Sequence, residues 1–76
     1  MIDGSKTEDW HKMNPRMWEF SRRGDTPFPH DYVRCLRTLR GFNLHINYEE
    51  VAILPTWDAV LAMTPILLGI HGKVKS

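Results

Sequence analysis

The sequence predicts an all-α fold, a small bundle of four to five short helices whose connecting turns are marked by Pro and Gly. Three observations support this class. Apolar side chains recur at helical spacing near the N-terminus, residues 31–40 form an amphipathic segment, and an uncharged apolar run covers 59–70 after a helix-start signal at Thr56. A chain of 76 residues is expected to form a single small domain, 1–76, with residues 1–6 as a loose lead-in.

The first helical segment is predicted from a stripe of large apolar side chains. They recur at spacings of three, four and three residues, which places them on one side of a helix. These are Trp10, Met13, Met17 and Phe20. Pro15 divides the segment into a short turn at 7–13 and a firmer helix at 15–23, with Gly24 as its stop. Trp18 lies about a quarter turn off the stripe by the 3.6-residue period, so it is a candidate to contact a partner.

A loop follows, in which two prolines hold the chain extended. Phe28 stands between Pro27 and Pro29. It is predicted either to fix the angle between the flanking helices or to enter a pocket of a partner.

Residues 31–40 give the clearest amphipathic pattern of the chain. One side of the predicted helix carries the apolar side chains, which are Tyr32, Cys35, Leu36 and Leu39. The opposite side carries Arg34, Arg37 and Arg40 at intervals of three. The apolar side is expected to pack against the first stripe, which leaves the arginines in solvent.

Residues 42–48 alternate apolar and polar side chains, the pattern of a half-buried strand. Because no second strand is evident, we interpret them as a short extended connector whose apolar side chains point inward. A strand paired with a second copy of the chain is the alternative. Residues 47–50, Asn-Tyr-Glu-Glu, resemble a capping box, which predicts a short helix at 48–54 that ends at Pro55.

The C-terminal run 59–70 is apolar on every side of a helix, so it must be buried in the fold, against a partner or in lipid. Thr56 is the predicted N-cap, and Pro65 is predicted to kink the helix or to end and restart it. A membrane span needs about 20 apolar residues. The window 51–72 reaches that length only by including charged and helix-breaking residues. Burial in the fold is therefore preferred, and membrane association through residues 51–72 is an alternative.

The charges are unevenly distributed. Residues 11–40 hold seven basic and three acidic side chains, a balance of +4, whereas residues 41–72 hold no Lys or Arg and three acids, a balance of −3. The composition, 42% hydrophobic and 25% charged, is that of an ordinary globular domain rather than a disordered chain.

Catalytic and metal-binding patterns are not evident in the sequence. The four histidines are far apart and lack the spacing of zinc ligands, the glycines are scattered, and Cys35 falls on an apolar side. We therefore predict no cofactor, no metal and no enzymatic activity. The single cysteine excludes an internal disulfide framework, and the polar N-terminus lacks a secretory signal. A cytoplasmic location is expected.

The function we predict is that of a small non-catalytic protein–protein interaction protein acting by surface complementarity. An inhibitor, an assembly factor or a viral or phage accessory protein would fit, with a protein partner or a homo-oligomer. The predicted partner-binding residues are Arg34, Arg37, Arg40, Arg22, Arg23, Trp18 and Phe28. The alternatives are a nucleic-acid-binding module that uses the row Arg34/Arg37/Arg40 and the membrane-associated protein described above.

Overall fold

The computed structural model describes residues 2–23 and 29–74. Within them the chain forms one five-stranded antiparallel sheet, a single C-terminal helix and a short 3₁₀ turn at Thr7–Asp9. The strands are β1 (His11–Asn14), β2 (Met17–Arg23), β3 (His30–Thr38), β4 (Gly41–Ile46) and β5 (Glu49–Leu54), and the helix α1 is Trp57–His71. Each strand pairs with the next one along the chain, in the order β1-β2-β3-β4-β5. The predicted all-α bundle is therefore wrong.

The predicted helices at 15–23 and 31–40 are the strands β2 and β3, which pair along their whole length from Met17↔Leu36 to Arg23↔His30. In β3, Val33 and Cys35 are fully buried against the core. Tyr32 and Leu36 are half-buried on the other side of the same strand. Because both sides of β3 carry apolar residues, the two-residue period of a strand is hidden and a helical stripe arises by coincidence.

Most of the alternating segment 42–48 belongs to strand β4, which ends at Ile46, and its inward side was correctly predicted: Leu44 and Ile46 are buried. Its partners were not predicted, since β4 lies between β3 and β5 instead of standing alone. The predicted helix at 48–54 is the strand β5. The supposed capping box begins with a two-residue hairpin turn, in which Asn47 and Tyr48 have φ values of 54° and 69°.

The helix α1 begins where the sequence predicted. Thr56 caps it, because its Oγ1 accepts a hydrogen bond from the Ala59 N–H at 3.1 Å. Pro65 was predicted to kink or interrupt the helix, yet a single helix runs through it to His71. Next to the proline, the Thr64 hydroxyl is buried and donates to the Val60 carbonyl at 2.6 Å.

The core lies between α1 and one face of the sheet. The aliphatic part includes Val33, Leu44, Val60 and Leu68, each at most 1% exposed. Five aromatic rings fill the end nearest the start of α1. They are Trp10, Trp18, Phe20, Phe42 and Trp57, and Trp57 contacts three of the others at centroid distances of 5.0 to 5.8 Å. The inner side of the apolar run is thus part of the protein's own core. We call the sheet face turned away from α1 the open face.

The N-terminal segment expected to be loose contains one buried residue. Gly4 lies against the aromatic end of the core, and its carbonyl accepts a hydrogen bond from the Trp10 indole N–H at 3.0 Å. The segment before β1 is thereby connected to the core.

Candidate interaction surfaces

The three arginines predicted to form one row do not share a face. Arg34 alternates with two buried residues of β3 and lies on the open face. Arg37 is three residues further along the strand, so its side chain points to the opposite side, and it is exposed. Arg40 is exposed in the turn between β3 and β4. A spacing of three aligns side chains on a helix but separates them on a strand.

The other predicted partner-binding residues are also divided. The side chain of Arg22 is largely buried and engaged in an ion pair, whereas Arg23 is exposed. Trp18 belongs to the aromatic core, where its ring lies 5.0 Å from Trp57, and the ammonium of Lys12 lies 5.7 Å from its centroid. Phe28 lies outside the described residues.

Asp31 is the centre of a buried polar cluster that sequence reasoning missed. Its Oδ1 accepts from the Asn47 side-chain amide at 2.9 Å and from the Lys73 N–H at 2.7 Å. Its Oδ2 accepts from Arg22 Nε at 3.0 Å and from the Val74 N–H at 3.1 Å. Burial alone would raise the pKa of this carboxyl, but the four hydrogen bonds outweigh burial and hold the pKa below its usual value. The cluster ties the chain after α1 to β2, β3 and the β4–β5 turn.

One row of side chains crosses all five strands on the open face. It consists of His11, Glu19, Arg34, His45 and Glu50, which are cross-strand partners in register. Arg34 is flanked on β2 by Glu19, so its positive charge is matched by a neighbouring acid. Glu19 also accepts a hydrogen bond from the Tyr32 hydroxyl. Burial, together with that contact, raises the pKa of Tyr32 to about 12. With one arginine and two glutamates, the row is not a basic surface.

Three polar atoms of the open face are buried without a hydrogen-bond partner among the described residues. They are Arg34 Nε, Asn43 Oδ1 and His45 Nδ1. Such atoms are uncommon in folded proteins. They lie on the adjacent strands β3 and β4, within or beside the charged row, and mark the polar centre of the open face.

The basic side chains cluster instead at the end of the sheet that holds the β1–β2 and β3–β4 turns. A cleft of about 480 Å³ lies between the β1–β2 turn and the end of β3, lined by Pro15, Arg16, Arg37, Thr38 and Leu39. Arg40 follows in the same turn. We call Arg16, Arg37, Leu39 and Arg40 the basic tip. In the described part of the chain, none of its three arginines forms an ion pair, because the single ion pair found there is Arg22–Asp31.

Leu39 protrudes from the basic tip with a relative exposure of 109%. Its turn is held in place by Thr38, whose hydroxyl donates to the Gly41 carbonyl at 3.0 Å and accepts from the Arg40 N–H at 3.2 Å. The two turns are also connected, since the Arg37 N–H donates to the Arg16 carbonyl at 2.7 Å. The tip therefore presents an apolar side chain and three cations on a hydrogen-bonded frame.

The outer side of α1 is a second surface of note. It carries Ala62, Ile66, Gly69 and Ile70, which we call the outer stripe, and all four are exposed. Ile66 and Ile70 are 56% and 68% exposed. Between Asp58 and Lys73 the chain has no charged Asp, Glu, Lys or Arg. Among residues 2–23 and 29–74, however, no helix has the length and apolar character needed to cross a bilayer.

The remaining chemistry of the described residues is limited. Cys35 is fully buried as a free thiol, and burial raises its pKa to about 12, which disfavours the reactive thiolate. No group of three or more His, Cys, Asp or Glu side chains is placed to hold a metal ion in the described part of the chain.

Comparison of this chain with models of protein families, with curated proteins and with solved structures gives no match. Functional inference therefore depends on the surfaces described above.

Proposed function

We propose that the protein is a small non-catalytic interaction protein that binds an acidic surface of another protein through the basic tip. The observation that carries this proposal is Leu39, fully exposed between arginines that have no ion-pair partner among residues 2–23 and 29–74. An exposed apolar residue surrounded by cations complements an apolar pocket with an acidic rim. Arginine is favoured in such contacts because its planar guanidinium donates paired hydrogen bonds to carboxylates.

The frame of the tip favours binding. Since hydrogen bonds already fix the β3–β4 turn, little conformational entropy is lost when a partner docks. Gly41 supports the same turn with a φ of 123°, and a Cβ at this position would lie 2.6 Å from the Leu54 carbonyl oxygen. Arg37 and Arg40 thus remain in the proposed site, joined by Arg16 and Leu39. Arg34 does not belong to it, because it lies in the row of the open face next to Glu19.

A photo-cross-linking amino acid at position 39 tests this proposal. In an extract of the source cells treated with nuclease, we expect cross-links to an acidic protein that disappear in the variants Arg37→Glu and Arg40→Glu. The same probe at position 2 is the matched control, because Ile2 is also an exposed apolar residue, at 45%, but belongs to the N-terminal segment and not to the basic tip. Cross-links that persist after both charge reversals, or that require nucleic acid, would contradict an acidic protein partner.

The outer stripe supports a second element of the proposal, which is self-association. An antiparallel helix pair centred on Ile66 places Ala62 of each copy opposite Ile70 of the other, so that a small side chain faces a large one. Light scattering of the purified chain is expected to give the mass of a dimer, and Ile66→Asp is expected to give a monomer. The matched control is Leu39→Asp, which replaces an equally apolar residue outside the stripe. A wild-type monomer at high concentration would refute this element and leave the basic tip unaffected.

An intracellular, reducing location is part of the proposal. Its support is Cys35, the single cysteine, which is buried as a thiol in the core.

A further inference from the structure

A cleft at the opposite end of the sheet from the basic tip has the features of a ligand site. Its volume is about 610 Å³, and its described lining residues are Pro29, His30, Tyr32, Asn47, Tyr48 and Lys73. We call this the tyrosine cleft. Two of these residues are aromatic, one is a lysine and none is acidic. The composition suits a ligand that combines a flat ring with a negative charge.

Tyr48 is the most unusual residue of this cleft. It occupies the second position of the two-residue β4–β5 turn with a φ of 69°. This position normally favours glycine, because a side chain strains the left-handed backbone. Core packing does not explain the tyrosine, since it is 75% exposed. Strained residues cluster at functional sites, so the strained backbone of Tyr48 indicates a functional role for this residue.

The ring of Tyr48 is held in a defined position. It stacks on Tyr32 with centroids 5.2 Å apart and planes inclined by 27°. Tyr32 is in turn fixed through its hydroxyl, which donates to Glu19. The stack sets the orientation of the Tyr48 ring while most of its surface remains accessible to a ligand.

The buried carboxylate of Asp31 fixes the remaining walls of the cleft. Its Oδ1 accepts both from Asn47, the neighbour of Tyr48, and from the backbone N–H of Lys73, at 2.9 and 2.7 Å. The Asn47 side chain also accepts from the Tyr32 N–H at 3.0 Å. Tyr32, Asn47 and Lys73 come from three separate parts of the chain, and one carboxylate sets their relative positions. Such a preorganised site loses little entropy on binding.

We propose that the tyrosine cleft binds a nucleotide unit, with the base stacked on Tyr48 and the phosphate next to Lys73. Every base has a flat π-face, and stacking on tyrosine is therefore tolerant of base identity. The ammonium of lysine is a compact charge that suits a phosphate. Arg23 is exposed and is the register partner of His30, so a further cation lies at the same end of the sheet. This site is independent of the basic tip.

The chemistry of the ligand is tested by nuclear magnetic resonance titration of the full chain with five probes. These are adenosine monophosphate, adenosine, ribose 5-phosphate, a single-stranded adenine oligonucleotide and phosphotyrosine. We expect the monophosphate to shift the signals of Tyr48 and Lys73 and to bind more tightly than adenosine or ribose 5-phosphate. An oligonucleotide that binds more tightly than the monophosphate would identify a single strand as the source of the nucleotide. Equal or weaker binding would identify the free nucleotide.

Variants test the location of the site. Tyr48→Gly is expected to remain folded, because it relieves the backbone strain while removing the stack, and to weaken binding at least about fivefold. Tyr48→Phe keeps the ring and should bind like the wild type. Lys73→Met should weaken the binding of adenosine monophosphate but not the binding of adenosine. Arg40→Met removes a cation at the opposite end of the sheet and should leave the affinity unchanged.

Three results would overturn the proposal. The first is the absence of binding by both the monophosphate and the oligonucleotide at millimolar concentration. The second is binding that survives Tyr48→Gly in a folded variant. The third is tighter binding of phosphotyrosine than of any nucleotide probe, which would reassign the cleft to a phosphorylated peptide. The basic-tip variants change no residue of the tyrosine cleft. If they lose binding to an acidic protein, or if no such protein is found, the nucleotide proposal is unaffected, and the two proposals can therefore be refuted independently.

Discussion

Arg22 and Asp31 form an ion pair in which Nε lies 3.0 Å from Oδ2, and their side chains are 9% and 0% exposed. The pair connects the end of β2 to the start of β3. The same guanidinium also donates to the carbonyls of Leu68 and Val74, at 3.4 and 3.3 Å. The last turn of α1 and the chain that follows it are thereby anchored to the sheet by a single pair of charges.

Replacing Asp31 by Asn is predicted to be strongly destabilising. The substitution keeps the shape of the side chain but removes its charge, which leaves the Arg22 guanidinium partly buried without a counter-ion. Breaking a buried pair in this way costs about 3 kcal/mol or more. Urea denaturation followed by circular dichroism measures the free energy of unfolding. Glu49→Gln is the control, because it neutralises an exposed acid, and a loss of stability equal to that of the control would show that the pair is not a major anchor.

Low pH is predicted to reduce the free energy of unfolding, because it protonates the carboxylate of Asp31. The pKa of Asp31 is lowered in the folded state, so its contribution to stability is present above the pKa of the unfolded chain, about 3.9, and is lost as the pH falls through the folded value. Stability should therefore be nearly constant from pH 7 to about pH 5 and then decline. Hydrogen bonds from Ser5 also lower the pKa of Asp3, which contributes in the same window. Comparison with Asp31→Asn isolates the part due to Asp31, and parallel pH profiles of the two proteins would contradict its role.

The part of the fold that the sequence predicted well is the part whose signals are local. Thr56 and Asp58 mark the beginning of α1, and the alternation in 42–48 marks the buried side of β4. Two of the hairpin turns, β3–β4 and β4–β5, were missed because their residues are not those that favour tight turns, whereas Pro15 in the β1–β2 turn was interpreted as the start of a helix. Leu39-Arg40 contains neither Gly nor Pro, and Tyr48 occupies a position where Gly is usual. Because these turns were not recognised, the strands β2, β3 and β5 were predicted as helices.

The candidate sites are formed by residues that the topology of the fold brings together from distant parts of the chain. Arg37 and Arg40 were selected for their charge and remain in the basic tip, whereas Arg16 joins them only because the β1–β2 turn lies beside the end of β3. Lys73 reaches the tyrosine cleft because α1 runs back along the sheet towards Asp31. No spacing along the chain predicts these contacts, since they join residues that are 21 or more positions apart.

Two glycine substitutions should have opposite effects. Gly4 has a φ of +79°, and an added Cβ would lie 2.7 Å from Thr64 Cγ2 and 2.8 Å from Phe20 Cε1. Gly4→Ala is therefore predicted to destabilise the protein by about 1–3 kcal/mol through overpacking and backbone strain. At Gly69 an added Cβ would meet no atom of the described residues within 4 Å. Because alanine is the better helix former, Gly69→Ala should stabilise the protein by up to about 1 kcal/mol.

Thermal unfolding of the two alanine variants next to the wild type measures both effects. A midpoint for Gly4→Ala equal to that of the wild type would mean that the N-terminal segment does not pack against Phe20. Gly69 lies in the outer stripe, so its variant is compared in the Ile66→Asp background, where no second copy is expected to cover the stripe. A lowered midpoint for Gly69→Ala in that background would mean that the outer side of α1 is not open space.

The contact between Tyr32 and Glu19 should be visible in a titration of the phenol. Burial and the adjacent Glu19 raise the pKa of Tyr32 to about 12. The chain has two tyrosines, so Tyr48→Phe leaves Tyr32 as the single phenol, and its ionisation can be followed by ultraviolet absorbance. In that background Glu19→Gln removes the negative charge and is expected to lower the pKa, but not to the ordinary value near 10, because burial remains. Circular dichroism recorded at each pH verifies that the fold is intact. A phenol that ionises near 10 in the folded protein would show that Tyr32 is not held against Glu19, and the frame inferred for the tyrosine cleft would lose one of its supports.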